Sequence, residues 1–156
     1  MKMFAGLCAR RIGNLEGLRA ELKAKGAPVL QEAAARQFLD GHPGDVWPLP
    51  EAAGMGNLVL ALPSDRYECN VLARRGSIVQ AESEFSKLVE NAPTPFLSER
   101  KTDTRSPTPL NGEVHTVGYV WRVEANPKAL AFFLSTADSP NASVQLKATV
   151  ARVSAP

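Results

Sequence analysis

The stretch from Val114 to Val153 admits little besides a run of extended strands. In Val114–Val123 the apolar residues Val117, Tyr119, Trp121 and Val123 occupy alternate positions. In Val144–Val153 the residues Val144, Leu146, Ala148 and Val150 do the same, with Gln145, Lys147 and Thr149 between them. Alternation of this kind gives an extended chain one apolar and one polar row, and it cannot supply one face of a helix. Between the two segments lies Ala129–Thr136, apolar and of strand length, bounded by Asn126-Pro127-Lys128 and by Asp138 to Asn141, both rich in turn formers. Three consecutive strands joined by tight turns are therefore expected.

Further strands are expected upstream. Asn57–Leu62 is apolar on both faces and reads as a central strand, and Pro63 to Arg66 turn the chain into a second strand over Tyr67–Arg75. Phe96–Asp103 is polar and reads as an edge strand protected by its charges, followed by a loop over Thr104–Gly112 that carries two prolines. His42–Gly56 holds His42-Pro43-Gly44-Asp45 and Trp47-Pro48-Leu49-Pro50, which is loop chemistry.

Helical spacing appears in two places. Phe4, Leu7, Cys8 and Ile12, then Leu15, Leu18 and Leu22, predict helices over the N-terminal region, broken near Gly13 and Asn14, with Asn14 an N-cap and Gly26 a stop. A shorter helix over Gln31–Leu39, carrying Ala34, Phe38 and Leu39 inward, completes an expected helical hairpin over about residues 3–40. Ser77 to Gln80 has the form of a capping box, and Ile78, Ala81, Phe85, Leu88 and Val89 follow at helical spacing up to Pro93 and Pro95. The predicted order is ααββαββββ: one α+β domain over residues 1–156, with a mostly antiparallel five- to six-stranded sheet and a crossover helix over about residues 57–153. Helices are expected to cover one face of that sheet, and Phe85 and Leu88 to meet the face that carries Tyr119 and Trp121.

Composition narrows the function. The chain has 156 residues and a formal net charge of +2, and its basic pairs Arg10-Arg11, Arg74-Arg75 and Arg100-Lys101 are scattered among acids. Nucleic-acid binders concentrate far more positive charge on one face, so no nucleic-acid partner is expected. No apolar run approaches the length of about 20 residues that a membrane helix needs. Gly54-Met55-Gly56 precedes a strand rather than following one, so it is no phosphate loop. The two histidines, His42 and His115, stand far apart with no second His or Cys at ligand spacing, so neither a metal nor a cofactor is expected. Cys8 or Cys69 with His115 is a conceivable thiol–imidazole pair, and Ser135 ends an apolar strand, but no nucleophile motif surrounds any of them. No catalytic residues are assigned, and the expectation is a protein without enzymatic activity.

The two cysteines leave two readings open, buried free thiols or a single bridge. The expectation taken is a Cys8–Cys69 disulfide, because Cys8 shares an apolar helix face and Cys69 lies in a strand which that face can cover. Such a bridge closes a loop of about sixty residues, worth roughly 4 kcal/mol in the chain-entropy picture.

Four stretches carry a resemblance: Gly41–Trp47, Gly56–Leu62, Val114–Trp121 and Phe132–Ala137. Over these the chain resembles small secreted or periplasmic proteobacterial proteins, some of which are similar to immunity proteins that neutralise toxins delivered by type VI secretion. The resemblance implies a periplasmic location, a protein partner and a binding role, and it carries over no functional residue. The start, Lys2 followed by Met3 to Ala9 and Arg10-Arg11, is too short in its apolar part for a signal peptide. A mature secreted domain whose leader has been exchanged for a start codon and a cytoplasmic protein are the two compartment readings. The alternative function is a cytosolic regulatory or sensory module that binds a small molecule between helix and sheet. For the partner-binding reading the candidate contacts lie on three loops: His42, Asp45 and Trp47; Asp65 and Arg66; Asp103 and Arg105. For Trp47 the other reading is a plug that fastens its loop to the sheet.

Overall fold

The computed structural model describes residues 1–50, 56–109 and 111–154. Its elements run as a π-helical turn Phe4–Ala9, α1 Leu15–Ala24, α2 Glu32–Ala35 continued by a 3₁₀ turn Arg36–Phe38, β1 Gly44–Pro48, β2 Gly56–Pro63, β3 Glu68–Arg75, α3 Ile78–Glu90, β4 Leu97–Thr108, β5 Gly112–Arg122, β6 Lys128–Ala137 and β7 Leu146–Ser154. All seven strands form one antiparallel sheet in the order β1-β2-β3-β7-β6-β5-β4. Two hairpin-built halves, β1 to β3 and β4 to β6, are thus joined by β7, which pairs with β3 on one side and β6 on the other.

The α+β class and the antiparallel sheet match the sequence reading; the strand count and order do not. The added strand is β1, in a segment read as loop. Prolines at positions 43, 48 and 50 hide it, yet a proline does no harm where the missing N–H faces away from the ladder. β1 is an edge strand, pairing with β2 from Gly44↔Pro63 to Pro48↔Val59, and its outer side accepts one bond, Leu30 N–H to Val46 O at 2.8 Å. The same tolerance lets the other edge, β4, run through Ser106-Pro107 to Thr108, past the end expected at Asp103. A bulge at Lys101 shifts the β4–β5 register between Arg100↔Tyr119 and Thr102↔Gly118.

Helices cover both faces instead of one, and α1 and α2 form no hairpin. The π-helical turn, α1 and α3 lie on the face that carries Leu58, Leu60, Cys69, Val71, Tyr119, Trp121, Phe132, Leu134, Leu146 and Val150. There Phe85 is fully buried, with its ring 6.4 Å from Phe4 and 6.3 Å from Tyr119. The C-terminal end of α3 is pinned by Trp121 Nε1–H (2.6 Å) and Ser98 Oγ–H (2.7 Å), both donating to Val89 O. The segment after α1 then passes the β1 edge, and Ala35 and Leu39, rather than Ala34, pack beneath Val46, Val59, Ala61 and Leu72 on the opposite face. This double cover explains why Leu58 to Leu62 is apolar on both sides although β2 lies next to an edge rather than at the centre.

On that opposite face β5, β6 and β7 carry smaller and more polar side chains: Thr116 bonds to Ser135 at 3.0 Å, and Thr149 Oγ1 donates to Asn70 at 2.6 Å. Gly118 is required there, since a Cβ would come within 2.7 Å of the Phe133 ring. Capping follows the sequence signals. Asn14 accepts from Gly17 N–H at 2.9 Å and Ser77 from Gln80 N–H at 3.3 Å, although Gln80 turns its amide to Glu84 and does not close the capping box. Gly26 ends α1 at φ +65°, a conformation that favours glycine. Cys8 and Cys69 are bridged, with Cα atoms 5.4 Å apart, so the π-helical turn is tied covalently to β3.

Candidate functional site

The turn between β2 and β3 gathers three of the residues singled out from sequence. Pro43 and Ser64 are held together by Ser64 N–H donating to Pro43 O at 2.8 Å, which sets His42 beside the turn. His42 Nδ1 lies 2.9 Å from Asp65 Oδ2. That hydrogen bond outweighs the opposing effect of desolvation and, with lesser help from the His42 and Arg66 charges, holds the Asp65 carboxyl below its ordinary range. Arg66 reaches Asp65 at 3.7 Å and Glu68 at 3.7 Å.

Beside them stands a residue that sequence reasoning left inside a strand. Tyr67 precedes β3 and is 56% exposed, and the Arg152 guanidinium lies over its ring at 4.5 Å. Arg152 N–H also donates to Tyr67 O at 2.9 Å, so backbone and side chain both fix this stack. The only sequence signal for Tyr67 was its position directly after a four-residue turn. Nothing local pointed to Arg152, which is brought in by the β3–β7 pairing.

The remaining candidates fall elsewhere. Asp45 is bound to α1: the Arg19 side chain, 9% exposed, donates to Asp45 Oδ2, to Leu62 O and Pro63 O at 3.3 Å each, and to Glu16 at 3.3 Å. That places Asp45 in a structural tie between α1 and the β1–β2 end of the sheet, with Lys23 3.6 Å away. Trp47 is fully buried in the main core, so it is a packing residue and not a surface contact; its Nε1–H has no acceptor among the described residues. Asp103 and Arg105 lie on β4, at the other edge of the sheet.

Asp103 belongs to a second polar cluster. His115 on β5 is flanked by two carboxylates, Glu82 Oε1 of α3 at 2.7 Å from Nδ1 and Asp103 Oδ1 of β4 at 2.8 Å from Nε2. Thr136 Oγ1 of β6 donates to the same Glu82 oxygen at 2.9 Å. Arg100 pairs with Asp103, and Arg105 with Glu113 at 3.0 Å. Burial by itself would lower the His115 pKa, but the bonds to Asp103 and Glu82 and the Glu82 charge outweigh it, and the net shift is upward. The carboxylates sit against opposite ring nitrogens and do not converge on one point. Among the described residues no group of three or more His, Cys, Asp or Glu has the arrangement of a metal site.

The nucleophile pairs weighed from sequence do not assemble. Both cysteines are consumed in the bridge. Ser135 faces Thr116 across the β5–β6 ladder, so it lies on the face opposite His115.

A cavity of about 290 Å³ opens between α3 and the sheet. Its floor is Leu58, Val71, Leu134 and Leu146, and the space exists because Ala73, Ala81 and Ala148 meet there from three elements. Ser77, Gln80, Glu84 and Lys2 stand on its rim.

Comparison with family models, with curated proteins and with solved structures gives no match. No helix among the described residues is long and apolar enough to cross a membrane.

Proposed function

We propose that this chain is a non-enzymatic binding protein of the periplasm, an immunity protein that blocks a secreted toxin by covering it. The observation that carries the reading is the turn patch: an exposed tyrosine, stacked under an arginine and flanked by His42, Asp65 and Arg66, at one end of the sheet. Tyrosine and arginine dominate the few residues that carry most of the affinity at protein interfaces. Here their side chains are already held, so little ordering entropy is lost on docking. The Cys8–Cys69 bridge fits an oxidising compartment. Inhibition is then steric and stoichiometric.

The test is titration of the purified chain against the product of the neighbouring gene. Tyr67→Ala is expected to weaken binding about thirtyfold or more, the range of an interface hot spot, and joint charge reversal at Asp65 and Arg66 to slow association. Reversal at Asp103 and Arg105, on the far edge, should leave affinity unchanged. Full affinity in a folded Tyr67→Ala variant that also carries the Asp65 and Arg66 reversals discards the patch. A neighbour that never binds, with turnover of a small substrate by the isolated chain, discards the function.

The cavity under α3 supports a second reading, a small-molecule-binding regulatory module. Its walls suit a small apolar ligand with one polar group at the Gln80–Glu84 rim. On that reading an apolar fluorescent probe such as anilinonaphthalene sulfonate binds the native chain at one site, and Ala81→Leu, which fills the space, abolishes the signal. No probe binding to the folded wild type removes this reading.

A further inference from the structure

We propose that His115 is a pH-sensitive latch: as an imidazolium it clamps both helix α3 and edge strand β4 to the sheet, and on losing one proton it releases Asp103 while keeping Glu82. The basis is a count of donors. Both neighbours of the ring are carboxylates, which only accept, so holding both at 2.7 and 2.8 Å requires a proton on each ring nitrogen. A neutral imidazole has one N–H and can satisfy only one of them.

The surroundings decide which bond survives. From α3 the ring faces Glu82, from β6 Thr136 on that same carboxylate, from β4 Asp103 with Arg100 and Arg105, and along β5 Glu113. With the ring charged, three carboxylates face three cations. Deprotonation leaves one negative charge in excess. The His115 side chain is 11% exposed, Glu82 29% and Asp103 49%. The carboxylate less able to reach water is Glu82, so the remaining proton stays on Nδ1. Asp103 keeps Arg100 as a donor and turns outward, since an unprotonated Nε2 would set two lone pairs against each other. The released proton goes to solvent.

The consequence for β4 follows from its place in the sheet. Among the described residues it is an edge strand, paired with β5 alone. In the middle of that ladder Asp103 is the residue that ties its exposed side chains back, through the ring, to α3. Releasing it frees the central part of the strand and leaves β1, β2 and β3 untouched. The folded-state pKa of His115 is raised above the ordinary 6.5, so the closed latch is the low-pH state and it opens as pH rises through the folded value.

The experiment is a pH titration of the intact protein by long-range ¹H–¹⁵N NMR of the imidazole nitrogens, with His115→Gln identifying the signal. Amide exchange is followed in parallel as protection factors, which remove the intrinsic effect of pH. The expected result is a midpoint above 6.5, an Nδ1–H tautomer on the high-pH side, and a fall of about tenfold in protection around Asp103 and its partner Val117, the scale of one lost charge-assisted hydrogen bond. The β2–β3 ladder should not change. In Asp103→Asn the midpoint should drop and the step in protection vanish. A midpoint at or below 6.5, an Nε2–H tautomer, or β4 protection that stays flat through the titration of the wild type would overturn the proposal.

Discussion

Phe85 stands where helix and sheet exchange most of their apolar surface, against Phe4 on one side and Tyr119 on the other. Truncation to alanine removes a fully buried ring and leaves a hole that three separate elements would have to fill. We expect Phe85→Ala to lose about 3–5 kcal/mol in urea or guanidinium melts, and a loss under about 1 kcal/mol would contradict the packing. Phe85 was legible because helical spacing alone put it on the inner face of α3. The contact of Cys8 with Cys69 was legible for a similar reason: each lies on the apolar row of its own element. Trp47 was legible in part: a plug that fastens its segment to the sheet was one of its two readings, and burial in the main core decides for it, whereas the strand that carries it was not read. His115 was legible in phase, one alternate step before Val117, but its partners Glu82 and Asp103 belong to a helix and a strand that meet it only in three dimensions. The same limit hid Tyr67 with Arg152.

Elements whose signals are local were placed well. α3 begins at Ser77, whose hydroxyl accepts from Gln80 N–H, and since Gln80 does not return the bond, this single contact is the whole side-chain cap. Ser77→Ala should therefore cost about 1 kcal/mol and lower the melting temperature without changing the fold in far-ultraviolet circular dichroism. Loss of the helix signal instead would mean that the cap nucleates α3. Elements whose existence rests on partners were misplaced. β1 has five residues, the last of them Pro48, and owes its extended form to β2, which supplies the hydrogen bonds that its own sequence does not predict. α2 has four residues and is held by the apolar underside of β1 to β3, a surface visible only once those strands are paired. Edge strands thus escape the usual punctuation by proline, because a proline there removes no ladder bond.

At the scale of the molecule the disulfide is the longest-range covalent constraint, joining positions 61 apart. Under denaturing conditions without reductant both cysteines should resist alkylation, and reduction should add two alkyl groups in intact-mass measurement. Replacing both with alanine should cost about 4 kcal/mol by loop entropy; unchanged stability would show that packing alone seats the π-helical turn. The order of the strands has its own consequence for how the protein is made. β7 follows the other six in the sequence yet lies between β3 and β6. A ribosome that has delivered everything up to Gln145 has delivered two three-stranded half-sheets with two raw, apolar margins and nothing to close them. The seven-stranded sheet is thus closed last at its centre, by the one strand that both halves share.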